Sequence, residues 1–143
     1  MVALVLVGHS RELLRGLRAM LAQAAPSVAV GVSGGTDAGA LGTSAPMILD
    51  AIRDVLAVAP DGVLVLLDLG SAALALEMAL DDLSPADRAR VRVSRGALVE
   101  GAVRAAVEAA GGAALPDVLA ASETPPALDK LPDDWPADGT APG

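Results

Sequence analysis

Val2-Ala3-Leu4-Val5-Leu6-Val7-Gly8-His9-Ser10 opens the chain with six aliphatic residues in a row and then turns polar within three. An unbroken valine-rich run of this length reads as a strand buried on both faces, the kind found inside parallel sheets. Helical spacing follows at once. From Ser10 to Ala24, Leu13, Leu14, Leu17 and Leu21 form an apolar stripe, with Arg11, Arg15 and Arg18 on another face and Ser10 placed to cap the first turn.

The same sequence of strand, polar turn and helix recurs along the chain. Val28 to Val32 reads as a second strand, followed by a loop from Ser33 to Thr43 that is too rich in glycine for regular structure. Ser44 and Pro46 start a helix carrying Met47, Ile48, Ala51, Ile52 and Val55, which must stop before Pro60-Asp61-Gly62. Val63 to Leu67 is the most apolar strand and runs into Asp68-Leu69-Gly70-Ser71 and a helix through about Leu80. Arg90 to Ser94 supplies a short fourth strand, Leu98 to Ala110 a helix closed by Gly111-Gly112, and Leu115 to Ala121 a last turn or two. This alternation predicts an α/β domain: an open, mainly parallel sheet of about four strands with helices on both faces. The helix after Ser71 is apolar nearly all round, and suits either a buried core position or a subunit interface.

Composition narrows the ligand classes. The chain has 143 residues, enough for one core, and 53% of them are apolar, yet it holds no Phe, no Tyr and one Trp. The core is therefore aliphatic, and the aromatic platforms that hold single-stranded nucleic acids, flavins and sugars are missing. A formal net charge of −8 opposes a phosphate backbone or an anionic membrane surface as partner. With no cysteine, disulfides and thiolate chemistry are excluded. No secretory leader is legible before His9, Arg11 and Glu12, and the longest uncharged stretch, Ala19 to Thr36, is broken by Pro26, Gly31, Gly34 and Gly35. A soluble, cytoplasmic protein is expected. Residues 1–122 form the domain, and residues 123–143, with five prolines from Pro126 onward or just before it, read as a disordered tail in which Trp135 is either a docking residue or a stray exposed ring.

In open parallel sheets, ligands gather beyond the carboxyl ends of the strands where the strand order reverses. Four loops belong to that edge: Gly8-His9-Ser10, Ser33 to Thr43, Asp68 to Ser71, and Ser94 to Ala97. His9, the sole histidine, is either a solvated loop residue or a nucleophile presented at a strand-to-helix junction, where free helix N–H groups favour an anion. Asp68 then either complements the following helix's positive end or orients the imidazole. Ser10, Gly70 and Ser71 suit capping and turn roles, phosphate binding, or both; Thr36 and Thr43 offer hydroxyls under the same ambiguity. Arg11, Arg15 and Arg18 form either a solvated face or a docking row for an acidic partner. No Gly-Lys-Ser/Thr follows the glycine-rich loop, so a nucleotide site of its own is not expected.

Four motifs, in order, resemble the DhaM family of phosphotransferase subunits: Val5-Leu6-Val7-Gly8-His9-Ser10; Gly42-Thr43-Ser44; Leu67-Asp68-Leu69-Gly70-Ser71-Ala72 with Glu77-Met78-Ala79; and Leu98-Val99-Glu100-Gly101 with Ala105-Ala106. The likeness covers roughly residues 1–121. It implies a mannose-type EIIA-like, homodimeric α/β domain that is phosphorylated on His9 by phospho-HPr. The phosphoryl group would pass to ADP bound on the DhaL subunit, for phosphorylation of dihydroxyacetone held on DhaK. No metal or cofactor is expected at His9. Because some members of that family continue into HPr-like and enzyme-I-like domains, a chain of this length implies separate donor proteins. The family more often carries Ser before the histidine, where this chain has Gly8. Two other readings compete: a mannose-type EIIA component serving a sugar permease, and a noncatalytic flavodoxin-like binding or signalling module. The second lacks both the acidic pair of a receiver after the first strand and an aromatic stack for flavin.

Overall fold

The computed structural model describes residues 1–125 and 130–142. Strands β1 (Ala3–Gly8), β2 (Val30–Gly34), β3 (Val63–Leu67) and β4 (Val91–Val93) form one sheet in the order β2-β1-β3-β4, every pair parallel. Helices α1 (Arg11–Ala24), α2 (Ala45–Leu56), α3 (Ala73–Asp81), α4 (Pro85–Arg88), α5 (Leu98–Ala110) and α6 (Leu115–Glu123) connect and cover it. This is the α/β architecture expected from the alternation.

Alternating side chains of each strand feed two separate cores. Ala3, Val5 and Val7 of β1, with Val63 and Val65 of β3, pack against Ile48, Ile52 and Val55 of α2 and Leu76 and Ala79 of α3. On the other face, Leu4, Leu6, Leu64 and Leu66 meet Leu14, Leu17 and Leu21 of α1 and the alanine row Ala102, Ala105, Ala106 and Ala109 of α5. The small alanines let α5 lie close to a sheet face already crowded with leucine. Leu64 is fully buried at the centre of this second layer. Leu64→Ala is expected to cost about 2–5 kcal/mol, seen as a lower urea midpoint by far-UV circular dichroism with an unchanged slope.

Parallel neighbours need crossovers, and right-handed crossovers dictate which face each helix takes. The chain steps from β1 to β2 in one direction and from β2 back past β1 to β3 in the other, so α1 and α2 fall on opposite faces. The helical segments after β1 and β3 therefore diverge, and a crevice opens between the carboxyl ends of those two strands.

Several local expectations are corrected. β2 begins at Val30, two residues later than expected, and takes in Ser33 and Gly34, which pair with Val7 and Gly8. Backbone pairing is indifferent to the missing side chain at Gly34. Leu13 is exposed rather than part of the α1 stripe, because Leu14, Leu17 and Leu21 already fill the groove over β1. The helix after Ser71 is not buried all round: Leu76, Ala79 and Leu80 face the core, whereas Leu74 and Met78 are exposed. The last helix reaches Glu123, one residue past the expected end of the domain.

Beyond α6, no helix or strand occurs among the described tail residues. Arg104 donates to the carbonyls of Thr124 and Pro125, and Lys130 pairs with Glu100 of α5. That hydrogen bond from Lys130 holds the Glu100 carboxyl below the usual carboxylate range. Trp135 is half-buried rather than a fully exposed ring. Residues 126–129 and 143 of the expected disordered tail lie outside the described residues. No helix among the described residues is long and apolar enough to cross a membrane.

Candidate functional site

β1 ends at Gly8 and β3 at Leu67, so their next residues, His9 and Asp68, emerge side by side at the crevice although 59 positions separate them in the chain. Asp68 is held from three directions. Its Oδ2 accepts the His9 backbone N–H at 2.9 Å, its Oδ1 accepts the Leu69 N–H at 2.7 Å, and both oxygens lie 3.1 Å from His9 Nδ1. An ionised carboxylate can only accept, so Nδ1 carries the ring proton and Nε2 keeps the lone pair. On the outer side the Ser71 hydroxyl stands 3.2 Å from Nε2 and donates to it.

Burial is graded across this row. The Asp68 side chain is 10% exposed, His9 is 29% exposed, and Ser71 lies at the surface. The carboxylate is largely shielded, while the imidazole it holds is partly open to solvent. A negative group fixed against Nδ1 also stabilises the positive ring that forms when Nε2 gains a substituent.

Gly8 makes room for this arrangement. A Cβ at position 8 would meet Asp68 Cγ at 2.6 Å, so the carboxylate occupies the space a side chain there would need. The serine more usual before the histidine would have to displace Asp68 or adopt another fit. Gly42 supplies the other anchor: its N–H donates to the His9 carbonyl at 3.0 Å from a backbone with φ of +140°, which side-chain-bearing residues avoid. The glycine-rich loop is thereby tied to the histidine's own peptide.

The remaining expected site residues divide clearly. Ser10 caps α1, its Oγ accepting from Leu13 N at 3.2 Å, and so fixes the helix start two residues beyond His9. Gly70 and Ser71 belong to a single turn of 3-10 helix, Gly70–Ala72, that precedes α3. Ser71 therefore does not cap α3, and its hydroxyl is left for the imidazole. The Thr36 hydroxyl accepts from Ala40 N within its own loop. Thr43 is half-buried beside Gly42 and, with Thr36, Asp37, Ser44 and Met78, borders a separate hollow of about 570 Å³. Neither threonine is hydrogen-bonded to His9. Arg11 is half-buried at the site end of α1, while Arg15 and Arg18 are exposed further along it, next to the edge strand β2. A second cleft of about 490 Å³ adjoins the site between the ends of β3 and β4, lined by Asp68, Gly70, Val93, Ser94, Arg95 and Gly96 among others. Arg95 lies in the Ser94 to Ala97 loop that the sequence assigns to this edge, but a lone arginine in a short loop has no periodic or motif signal of its own.

An open parallel sheet with one histidine at its switch point, its ring held between a carboxylate at Nδ1 and a surface hydroxyl at Nε2, defines an α/β domain whose site centres on a partly exposed imidazole. The chain belongs to the EIIA-man family, described as PTS system fructose IIA component, whose model matches residues 3–119. It is 39% identical over 123 residues to a Klebsiella michiganensis protein named "PEP-dependent dihydroxyacetone kinase, phosphoryl donor subunit DhaM", covering 83% of this chain and 26% of that one. A Listeria innocua protein named "PEP-dependent dihydroxyacetone kinase 2, phosphoryl donor subunit DhaM" is 37% identical over 109 residues, covering 76% of this chain and 86% of its own length. The chain thus spans about a quarter of the Klebsiella relative but most of the Listeria one. A crystal structure described as an unknown function protein, EF1359, superimposes with a TM-score of 0.75 at 31% identity, over 87% of this chain and 95% of that one.

Proposed function

We propose that this chain is the DhaM phosphocarrier of a phosphotransferase-system-linked dihydroxyacetone kinase, with Nε2 of His9 as the atom that carries the phosphoryl group. The single observation that carries this reading is the Asp68–His9–Ser71 row, which engages Nδ1 with the carboxylate and leaves Nε2 on the outer side of a partly exposed ring, with the surface hydroxyl of Ser71 as its partner. The resemblance supplies the proposed partners and place: HPr as donor, ADP on DhaL as acceptor, DhaK as the subunit holding dihydroxyacetone, and the cytoplasm. The relatives' names, which speak of a phosphoryl donor subunit, support the direction of transfer. A homodimer belongs to the same proposal, with the exposed Leu74 and Met78 of α3 as a candidate face.

In the charging step the Nε2 lone pair attacks the donor's phosphorus, the donor's N–P bond breaks, and its electron pair returns to the donor imidazole. The ring of His9 becomes formally cationic with its proton still on Nδ1, against the Asp68 carboxylate. Little covalent work falls to the protein, since the transferring group is metaphosphate-like and its charge lies on three equatorial oxygens. Alignment and ready N–H or O–H donors do the rest. Ser71 is the side chain best placed to donate, together with the backbone N–H groups of Gly70 and Ser71 in their 3-10 turn. At the start of α1, beyond Ser10, the first-turn amides have no helical acceptor and add to the positive edge. Thr36 and Thr43 contribute through the loop that Gly42 anchors, and Arg11 with Arg15 and Arg18 forms the proposed docking row.

The direct test is incubation with phosphoenolpyruvate, enzyme I and HPr, followed by intact mass and then by addition of the DhaL–ADP acceptor. One phosphoryl group gained on His9 and lost to the acceptor is the expected result. An uncharged protein, or a charged one that discharges only to a sugar-permease IIB domain, would reject the proposal. Ser71→Ala should slow charging roughly tenfold, the worth of one hydrogen bond to a charged group, with His9 still the site of modification by peptide mapping.

A further inference from the structure

The cleft between the ends of β3 and β4 is not lined by His9, yet it shares Asp68 and Gly70 with the site. Its floor is aliphatic, from Leu67, Ala73 and Val93, and its rim carries Arg95. Arg95 takes part in no ion pair among the described residues, in a chain whose acids outnumber its cations. An unpaired guanidinium at the edge of a cleft is a binding group for a planar or tetrahedral oxyanion.

The loop that bears this cation is fixed, not free. Arg95 N donates to Glu123 Oε2 at 3.1 Å, Gly96 N to Ser94 Oγ at 3.0 Å, and Ser122 Oγ to Ser94 Oγ at 2.7 Å. Ser94 and Ser122 are buried, and Gly96 lies so close to α6 that a Cβ on it would meet the Ser122 carbonyl at 2.1 Å. The end of α6 thus positions the loop that lines this side of the cleft. A buried hydroxyl pair of this kind gives the guanidinium a defined base beside the transfer site.

We infer that this cleft is a second phosphate subsite, in which Arg95 holds a phosphate of the acceptor while the phosphoryl group leaves Nε2. The inference rests on the proposed phosphocarrier reading and deepens it. Discharge brings three anionic groups together: the phosphoryl on His9, the Asp68 carboxylate, and the incoming phosphate of a nucleoside diphosphate. An acceptor oxygen bonds to phosphorus as the P–Nε2 bond breaks, the bonding pair returns to the ring, and Nδ1 keeps its proton. The acceptor carries a charge of the same sign as the group it must approach, so a cation beside the path acts chiefly on acceptor binding. At about 490 Å³ the cleft has room for a phosphate presented by an acceptor that is itself held on the DhaL subunit.

The variants are Arg95→Gln and Arg95→Lys in the full chain. Discharge to the nucleoside-diphosphate-bearing acceptor should need roughly tenfold more acceptor for half-maximal rate in Arg95→Gln, with partial recovery in Arg95→Lys, which keeps the charge but not the fork. Charging by the phosphohistidine donor should stay within about twofold of wild type, since the proposed donor-docking row, Arg11, Arg15 and Arg18, lies on α1 and not at the cleft. An equal slowing of both half-reactions, or an unchanged requirement for acceptor, overturns the inference. A second arm needs no phosphorylation. Inorganic pyrophosphate added to the uncharged protein should shift the amide resonances of Gly70, Arg95 and Gly96, and Arg95→Gln should lose that response. Shifts absent in the wild type, or equal in the variant, overturn the subsite. If wild-type His9 accepted no phosphoryl group, the phosphocarrier reading would fail while the pyrophosphate arm still reported on the cleft alone.

Discussion

His9→Ala is expected to leave a folded protein that accepts no phosphoryl group at all. The chain has no other histidine and no cysteine, so no second nucleophile of this kind can take over. The fold should survive. His9 projects from the end of β1 and is half-buried, and Asp68 keeps its two backbone donors, His9 N and Leu69 N, when the imidazole is removed. The change in unfolding free energy should therefore stay within about 1 kcal/mol. Intact mass after incubation with the phosphoenolpyruvate-driven donors, beside a far-UV spectrum, checks both halves. Acid-labile phosphate on the variant would place the phosphoryl group elsewhere.

Asp68→Asn should have the next largest effect, slowing phosphorylation on the order of 10²-fold or more through loss of the tautomer that exposes Nε2. Each carboxylate oxygen accepts one backbone N–H, at His9 and at Leu69, so the asparagine NH2 must face one of those donors whichever way the amide turns. One N–H is left without an acceptor, costing about 1–3 kcal/mol of stability. The variant also no longer opposes the positive ring with a negative charge. Rapid-quench charging with phospho-HPr and a urea titration separate the two effects. Wild-type charging rates would remove Asp68 from the mechanism.

Much of the architecture was legible because strands buried on both faces must be written as continuous aliphatic runs, as in Val2 to Val7 and Val63 to Leu67. The α5 helix, Leu98–Ala110, matched its expected span because Gly111-Gly112 ends it. β2 was less legible: Val28 is apolar and buried yet precedes the strand, while Ser33 and Gly34 extend it through backbone pairing that leaves no side-chain signature. The four-residue α4, Pro85–Arg88, is too short to show a period. Within the site, His9 and Asp68 were visible as polar residues ending apolar strands. The role of Ser71 was obscured by its resemblance to a cap, since only the 3-10 turn turns its hydroxyl toward the ring. The fit of Gly8 against Asp68 and the Ser94–Ser122 pair join residues distant in sequence, and neither pairing is marked by spacing.

The aliphatic core has a practical consequence for spectroscopy. Trp135 is the sole Trp, Tyr or Phe side chain, and it lies beyond α6, so ultraviolet-excited emission from this chain originates in the segment after α6. Because Trp135 is half-buried and its segment is tied to α5 through Lys130 and Glu100, its emission reads the release of that segment, and any change in its wavelength or polarisation on charging His9 would report movement there without an added dye.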